Sequence, residues 1–253
     1  SASGAHNGGF IETSGAHVQV ADGAKVSTLS DSGKTGTWLI DPTDFTISSG
    51  SGSGSGSGSQ TTSGMGATTL SNNLASTSVT LATDNSTGTD SGDININTAV
   101  SWSANTTLTL NAYNNINVNA AITATGASAG LALNYGGDYK VAAPITLSGA
   151  SATLALNGTA YTLIHSMAEL DAIDSTGLGG HYALASDLDA SGTTYTNAAL
   201  AANKVYTLRA TQTDVSGNVS AVSSAQVVNY DTVALTPVLN APNTSAMVRR
   251  SHC

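Results

Sequence analysis

The chain has 253 residues and a formal net charge of −9, with only 9% charged and 5% aromatic residues. Ser, Thr, Asn and Gly make up 116 residues and Ala another 38, a composition that excludes helical bundles and coiled coils, which need Leu, Glu, Lys and Arg. The chain has only seven Lys and Arg against 16 Asp and Glu, so it lacks the basic surface that nucleic-acid binding needs. The sequence contains no run of about 18 apolar residues, so we predict no membrane insertion.

The amino-terminal part of the chain predicts a series of short strands. Residues His17–Val20 alternate apolar and polar side chains, and residues 24–29 repeat that pattern, so both are predicted as strands. Trp38–Ile40 is an apolar run that a proline ends, and Asp44–Ile47 begins the next strand.

An alternating Gly/Ser tract at 50–59 interrupts these strands. It has no side chain to bury and predicts a flexible surface insertion, whose length adds little to the entropy of loop closure. Residues 72–83, with Val79–Leu81 at their centre, predict a return to β structure.

An internal repeat over residues 92–161 is the most informative pattern. The motif that begins at Leu108 returns at Leu131 and Leu154, at spacings of 23 residues. Two further sets repeat at 22 or 23 residues: Val100 with Ile122 and Ile145, and Ile94–Asn97 with Ile116–Asn119. A unit this short cannot bury a core of its own, so each unit must stack on the next.

This repeat predicts an all-β solenoid, a parallel β-helix with about 22–23 residues per coil. The leucines Leu108, Leu131 and Leu154 would lie directly over one another. Asn111, Asn134 and Asn157 would then fall at one turn and form an amide ladder along the axis. The alternative is a β-sandwich of seven to nine strands.

The next segment breaks the repeat with a helix signal. Ser166 and Glu169 form a capping box, which predicts a short helix near 167–174 that ends by Gly177. A strand over His181–Leu184 follows, and then a turn that begins at Asp187.

The character of the chain changes again near residue 198. Val205–Thr211 is a predicted strand, and Val219–Val222 through Ala225–Val228 is predicted as another strand or a pair of strands. Two or three strands are marginal by themselves, so they dock on the solenoid end, pair with another chain, or stay loosely ordered. The predicted domains are therefore a solenoid at 1–195, a partial β segment at 198–240 and a flexible tail at 241–253.

Several stretches carry a resemblance to a known family. They are Gly8–Gly15, Lys34–Ile47, Val100–Leu110, and Tyr161–His165 together with Tyr182–Ala190. On these stretches, residues 1–195 resemble the filamentous haemagglutinin-like exoproteins (adhesins) that Gram-negative bacteria export by two-partner secretion. The resemblance implies a right-handed parallel β-helix, an extracellular or cell-surface location, and an adhesive or scaffold role without catalytic residues.

Two features depart from that family. Its amino-terminal secretion domain is not visible, and the segment after Asp189 does not continue into Gly-rich repeats. Residues 198–240, with Asp214–Ser220 and Asp231, are instead similar to the closing strands of bacterial Ig-like adhesin repeats. The start at Ser1 is typical of a mature product or an excised piece, and the lone Cys253 allows no intrachain disulfide.

Motifs for catalysis or cofactor binding are weak in this sequence. The five histidines have neither helical i, i+4 spacing nor a zinc-type Cys/His spacing. A nucleophile elbow occurs only trivially within the Gly/Ser tract, and Gly33–Thr35 lacks the upstream glycine of a phosphate-binding loop. We therefore assign no catalytic, cofactor or metal residue.

Acidic residues are the better candidates for chemistry. Paired carboxylates at Asp187 and Asp189, or at Asp41 and Asp44, would suit a glycosidase or a Ca²⁺-dependent lyase. The repeat itself offers only Asp93, Asp138 and Lys140. Asp214, Asn218 and Asp231 would suit Ca²⁺ between tandem Ig-like modules, and the competing explanation for all of these residues is turn chemistry.

The leading hypothesis is a non-enzymatic, extracellular fibre segment of a bacterial surface adhesin. Its polar side chains would bind glycans or proteins on host or bacterial surfaces through many weak contacts. The alternatives are a self-assembling filament subunit, in which open strand edges pair with a second chain, and a polysaccharide-active β-helix enzyme.

Overall fold

The computed structural model describes residues 7–31, 33–50, 62–85, 90–177, 179–191, 204–208 and 226–230. These residues form short strands and two helices: β1 (Phe10–Ser14), β2 (Gln19–Val20), β3 (Thr37–Asp41), β4 (Phe45–Ser48), β5 (Gly64–Gly66), α1 (Ala67–Leu74), β6 (Ser78–Ala82), β7 (Ile94–Ile96), β8 (Val100–Trp102), β9 (Thr107–Ala112), β10 (Ile116–Val118), β11 (Ile122–Ala124), β12 (Gly130–Tyr135), β13 (Tyr139–Val141), β14 (Ile145–Leu147), β15 (Thr153–Leu156), β16 (Thr159–Ile164), α2 (Met167–Thr176), β17 (Tyr182–Leu184), β18 (Lys204–Leu208) and β19 (Gln226–Tyr230). The chain divides into two compact units, Ser1–Thr193 and Thr194–Cys253.

The first unit contains three sheets of mainly parallel strands. Sheet A has the order β1-β3-β6-β9-β12-β15-β16-β17, sheet B the order β13-β10-β7-β4-β5-β2, and sheet C the order β14-β11-β8. The chain passes from A to B to C and returns to A, so β9, β10 and β11 form one coil and β12, β13 and β14 the next. This topology confirms an all-β, solenoid-like chain, and the sandwich alternative is wrong because neighbouring strands are parallel and lie one coil apart.

The three repeated leucines lie in register in sheet A. Leu131 is paired with Leu108 on one side and with Leu154 on the other, as the repeat predicts. Leu108 and Leu131 are almost fully buried. Because side chains alternate between the faces of a strand, every second residue enters the core, and each fully buried Leu or Ile contributes about 1.5–3 kcal/mol.

The predicted amide ladder holds for two coils and is wrong for the third. Asn134 Nδ2 donates to Asn111 Oδ1 at 2.7 Å. Asn157 instead has a φ of 46° and is followed by Gly158 at 75°, the left-handed pair that a two-residue hairpin turn needs. The chain therefore reverses after β15, and β16 runs antiparallel to it. The Asn157 side chain accepts a hydrogen bond from the Tyr135 N–H at 2.8 Å.

A helix occupies the first part of the segment predicted as β over 72–83. Its buried side chains include Ala67, Leu70 and Leu74, which are spaced at the helical period and not at the alternation of a strand. The second part of the prediction is confirmed, because β6 spans Ser78–Ala82.

Residues 24–29 do not form the predicted strand. They run beside α1, whose backbone groups are already hydrogen-bonded within the helix and offer no ladder. Side chains replace the ladder: Val26 N–H donates to Asn73 Oδ1 at 2.6 Å, and Thr28 N–H donates to Thr77 Oγ1 at 3.0 Å. Ala24 and Val26 pack against the core, but the polar Thr28 is buried and the apolar Leu29 is 63% exposed, so the apolar/polar pattern does not describe the end of this segment.

The helix and strand predicted after the repeat are confirmed. Helix α2 begins after Ser166, whose Oγ accepts a hydrogen bond from the Glu169 N–H at 3.2 Å, and the Glu169 carboxylate accepts one from the His165 N–H at 2.7 Å. Strand β17 then pairs in parallel with β16. Among the helices that the structure describes, none is long and apolar enough to cross a membrane.

In the second unit, β18 and β19 form an antiparallel pair. The two strands fall on the segments predicted at 205–211 and 225–228. The Gly/Ser tract from residue 51 onward, the Asp214–Ser220 turn, Asp231 and the tail with Cys253 all lie outside the described residues.

Candidate functional site

Four asparagines form a regular surface on the outer face of sheet B. Their neighbours in β7 and β10 point into the core, so Asn95, Asn97, Asn117 and Asn119 point outward. The 22-residue repeat places β7 and β10 in parallel register, with Asn117 beside Asn95. We refer to these four side chains as the amide array.

Hydrogen bonds hold the amides of the array from one coil to the next. Asn117 Nδ2 donates to Asn95 Oδ1 at 2.9 Å, and Asn119 Nδ2 donates to Asn97 Oδ1 at 2.8 Å. Each amide has two N–H donors and a carbonyl oxygen with two lone pairs, so one ladder bond per pair leaves N–H donors and lone pairs that can bind another molecule. Asn97 and Asn119 are exposed, and their remaining donors and acceptors face solvent.

The row of the array continues along sheet B on both sides. Thr46 is paired with Asn95, and Lys140 is paired with Asn117. A hydroxyl, two amides and one ammonium group thus follow one another at the spacing of neighbouring strands, about 4.8 Å. Such a surface suits many hydrogen bonds to a hydroxylated polymer.

The two acidic residues of the repeat, Asp93 and Asp138, form hydrogen bonds in the turns between sheets A and B. Asp93 Oδ1 accepts hydrogen bonds from Asn114 Nδ2 at 3.0 Å and from the Asn115 N–H at 2.9 Å. One coil later, the Asp138 N–H donates to Asn115 Oδ1 at 2.9 Å. Asp138 Oδ1 accepts a hydrogen bond from the Tyr139 N–H at 2.8 Å. Both carboxylates therefore satisfy local groups, and Asn115 hydrogen-bonds to both residues.

The predicted pair Asp41 and Asp44 lies on either side of the turn between β3 and β4. Burial, then the charges of Asp84 and Glu12, raise the pKa of Asp41 above its usual value. Burial and the Asp90 charge raise the pKa of Asp44, which His17 and a hydrogen bond from Ser63 partly offset. The two carboxylates therefore have different electrostatic neighbours.

Asp41→Asn is expected to raise stability at neutral pH. The folded-state pKa of Asp41 lies above its usual 3.8. The contribution of Asp41 to the free energy of unfolding is therefore fully present below pH 3.8 and is lost as the pH rises through the raised pKa. The free energies of unfolding of D41N and the parent should match near pH 3 and diverge, in favour of D41N, up to about pH 7.

Asp189→Asn provides a control of opposite sign. Hydrogen bonds from the Ser191 hydroxyl and N–H lower the pKa of Asp189. The contribution of Asp189 to the free energy of unfolding is therefore present above the usual pKa of an aspartate and is lost as the pH falls through the lowered pKa. A D41N variant whose stability advantage does not change with pH would contradict the assignment.

The other predicted pair, Asp187 and Asp189, lies in the turn after β17 and not on a strand face. Asp189 Oδ1 accepts a hydrogen bond from the Ser191 N–H at 2.8 Å, which is ordinary turn chemistry. The possible calcium ligands Asp214, Asn218 and Asp231 lie outside the described residues.

A groove between β16 and α2 holds a His/Glu pair that the sequence analysis did not single out. The groove has a volume of about 420 Å³, and its lining includes Leu163, His165, Glu169, Ile173 and Tyr182. His165 Nδ1 lies 3.5 Å from Glu169 Oε2, and Nε2 lies 3.1 Å from the Gly149 carbonyl oxygen. The capping-box spacing of Glu169 was the only sequence signal for this contact.

Within the described part of the chain, the other two histidines, His17 and His181, lie in different surroundings. The His181 ring lies 5.4 Å from the Tyr161 ring in a tilted arrangement, and His6 and His252 lie outside the described residues. His17 is different, because it lies within reach of Asp44 and Asp90.

Comparisons with known proteins found no matching family model, no matching curated protein and no matching solved structure.

Proposed function

We propose that the chain is a non-enzymatic, extracellular fibre segment of a bacterial surface adhesin of the filamentous haemagglutinin type. In this proposal the solenoid is a right-handed parallel β-helix, and β18 with β19 are closing strands of an Ig-like repeat. The location is the cell surface of a Gram-negative bacterium. The resemblance of residues 1–195 and the stacked parallel coils support the proposal.

The mechanical part of the function follows from the stacking. Each coil is tied to its neighbours by parallel ladders in sheets A, B and C, and its inward side chains contact those of the adjacent coils. A solenoid of this type is stabilised largely by interfaces between neighbouring repeats. The shaft therefore carries its outer side chains in fixed register.

The amide array is the single observation that carries the adhesive part. It presents four neutral, planar hydrogen-bonding groups that the ladder bonds hold in place. Preorganised groups lose little entropy on binding, and neutral amides match the hydroxyl groups of a glycan without a counter-charge. Repetition of weak contacts along a shaft yields avidity.

Binding of the intact purified chain to immobilised glycans and to glycan-bearing cells tests the proposal. The variant Asn97→Ala/Asn119→Ala removes the two exposed amides of the array. We expect binding to fall by about fivefold to a hundredfold, since two lost hydrogen bonds at about 0.5–1.5 kcal/mol each amount to about 1–3 kcal/mol and about 1.4 kcal/mol is a factor of ten.

The control is Asn111→Ala/Asn134→Ala, which deletes an amide pair with the same coil-to-coil hydrogen bond on sheet A, where both side chains are half-buried. This control should bind like the parent. A chain that binds none of these surfaces, or an array variant that binds as well as the control, would overturn the adhesive role.

The second candidate function is a self-assembling filament subunit. Strand β13 is the last strand of sheet B, and its side chains Tyr139 and Val141 are 38% and 47% exposed. In an inner coil these positions would be buried, as their partners Ile116 and Val118 are. Fibres of the purified chain in low-resolution images would favour this function over a monomeric shaft.

A further inference from the structure

Three side chains from three successive coils converge at one corner of the solenoid. His17 lies in the connection from β1 to β2, Asp44 in that from β3 to β4, and Asp90 in that from β6 to β7. Each connection joins sheet A to sheet B. One potential ligand atom from each residue lies within 4.8 Å of the other two.

Buried contacts hold the turns that carry these side chains. Thr43 is 1% exposed, its hydroxyl donates to Asp90 Oδ2, and its N–H donates to the Ala16 carbonyl oxygen at 3.1 Å. Ser63 hydrogen-bonds to Asp44, and the Ser63 Oγ accepts from the Val18 N–H at 3.2 Å. These contacts orient the cluster in the way that outer partners orient metal ligands.

Two polar atoms of the cluster have no hydrogen-bond partner. His17 Nδ1 and Asp44 Oδ1 are both buried from solvent and unpaired, which is rare for buried polar atoms in native proteins. A cation between the three side chains would satisfy both atoms. It would also neutralise the two carboxylates that the fold places side by side.

The donor set indicates the class of cation. One imidazole nitrogen and two carboxylate oxygens suit a first-row transition-metal dication such as Zn²⁺, with a fourth position for water. Ca²⁺ and Mg²⁺ prefer oxygen ligands alone. All three side chains are half-buried, so an ion can enter from solvent.

We propose that His17, Asp44 and Asp90 bind one zinc-type divalent metal ion that links three successive coils. The ion cross-links these coils in the amino-terminal part of the solenoid, where α1 and the extra strand β5 interrupt the regular repeat. The site is independent of the amide array, so the failure of either proposal leaves the other standing.

Calorimetric titration of the intact, chelator-treated chain with Zn²⁺ tests the site. We expect one ion per chain and a rise in Tm of about 5–10 °C when free Zn²⁺ exceeds Kd about a hundredfold. Asp44→Asn and Asp90→Asn keep the size of each side chain and its capacity to accept a hydrogen bond. Each should weaken Zn²⁺ binding at least about tenfold.

The matched control is Asp138→Asn, an acid in the corresponding connection from β12 to β13 that lies outside the cluster. It should bind Zn²⁺ like the parent. Co²⁺ then distinguishes the cluster from His252 and Cys253 without any substitution, because a thiolate ligand adds a near-ultraviolet charge-transfer band that nitrogen and oxygen ligands lack. Zn²⁺ binding that D44N and D90N leave unchanged, a Co²⁺ complex with the thiolate band alone, or no binding at all would overturn the proposal.

Discussion

Leu131→Ala is expected to lower the free energy of unfolding of the solenoid by about 3–5 kcal/mol. The side chain is 1% exposed and lies between Leu108 and Leu154 in adjacent coils. Backbone ladders on both sides fix those coils, so the surrounding structure cannot collapse into the cavity. The cost therefore falls in the upper part of the range for a buried leucine. Urea unfolding followed by circular dichroism measures the change.

The control for this substitution is Thr123→Ser, in the outer position of β11 between Ile122 and Ala124. It removes one methyl group from the surface and should change stability by no more than about 0.5 kcal/mol. A cost below about 1 kcal/mol for Leu131→Ala would show that Leu131 does not lie between two fixed coils.

Asn73→Ala is expected to destabilise the chain by about 2–4 kcal/mol, since two backbone groups lose their partners. Asn73 is 2% exposed. Its Oδ1 accepts from the Val26 N–H at 2.6 Å, and its Nδ2 donates to the Ala24 carbonyl oxygen at 2.8 Å. No neighbouring strand edge can replace these bonds, because α1 lies where that strand would be.

The comparison variant is Asn119→Ala, which removes an exposed amide of the array and should cost less than about 1 kcal/mol. Hydrogen exchange adds a local readout, because protection of the Val26 amide, whose acceptor is Asn73 Oδ1, should fall in Asn73→Ala and persist in Asn119→Ala. Equal costs for the two variants would contradict the role assigned to Asn73.

The regular part of the fold was predictable because its repeat has a constant length. Stacking at 22 or 23 residues requires Leu108, Leu131 and Leu154 to share one column, and the ladder between Asn95 and Asn117 follows from the same spacing. The prediction that Asn157 would extend the amide ladder was wrong because Asn-Gly also strongly favours a hairpin turn. At Asn157 that local preference ends the series of parallel coils.

Helix α1 was missed because its sequence carries little helical signal. Thr, Ser and Asn have low helix propensity, and the residue before the helix, Gly66, makes no side-chain cap. The burial of Leu70 and Leu74 against the sheets decides the conformation, and that packing depends on residues distant in sequence. The same helix explains why residues 24–29 lack a strand partner.

The cluster of His17, Asp44 and Asp90 could not be predicted from spacing. The three coils that supply these residues include an insertion that adds β5 and α1 between β4 and β6. Their separations in sequence therefore differ from the 22–23 residues of the regular coils. Only the sheet register brings the three connections to one corner.

The central claim, that successive coils stack in parallel register, is tested most directly by methyl-to-methyl nuclear Overhauser contacts in leucine-labelled protein. Parallel register predicts contacts between Leu108 and Leu131 and between Leu110 and Leu133, with Leu131 also in contact with Leu154. Stronger crossed contacts, from Leu108 to Leu133 and from Leu110 to Leu131, would indicate antiparallel pairing and would contradict the solenoid, as would the absence of any contact between these leucines.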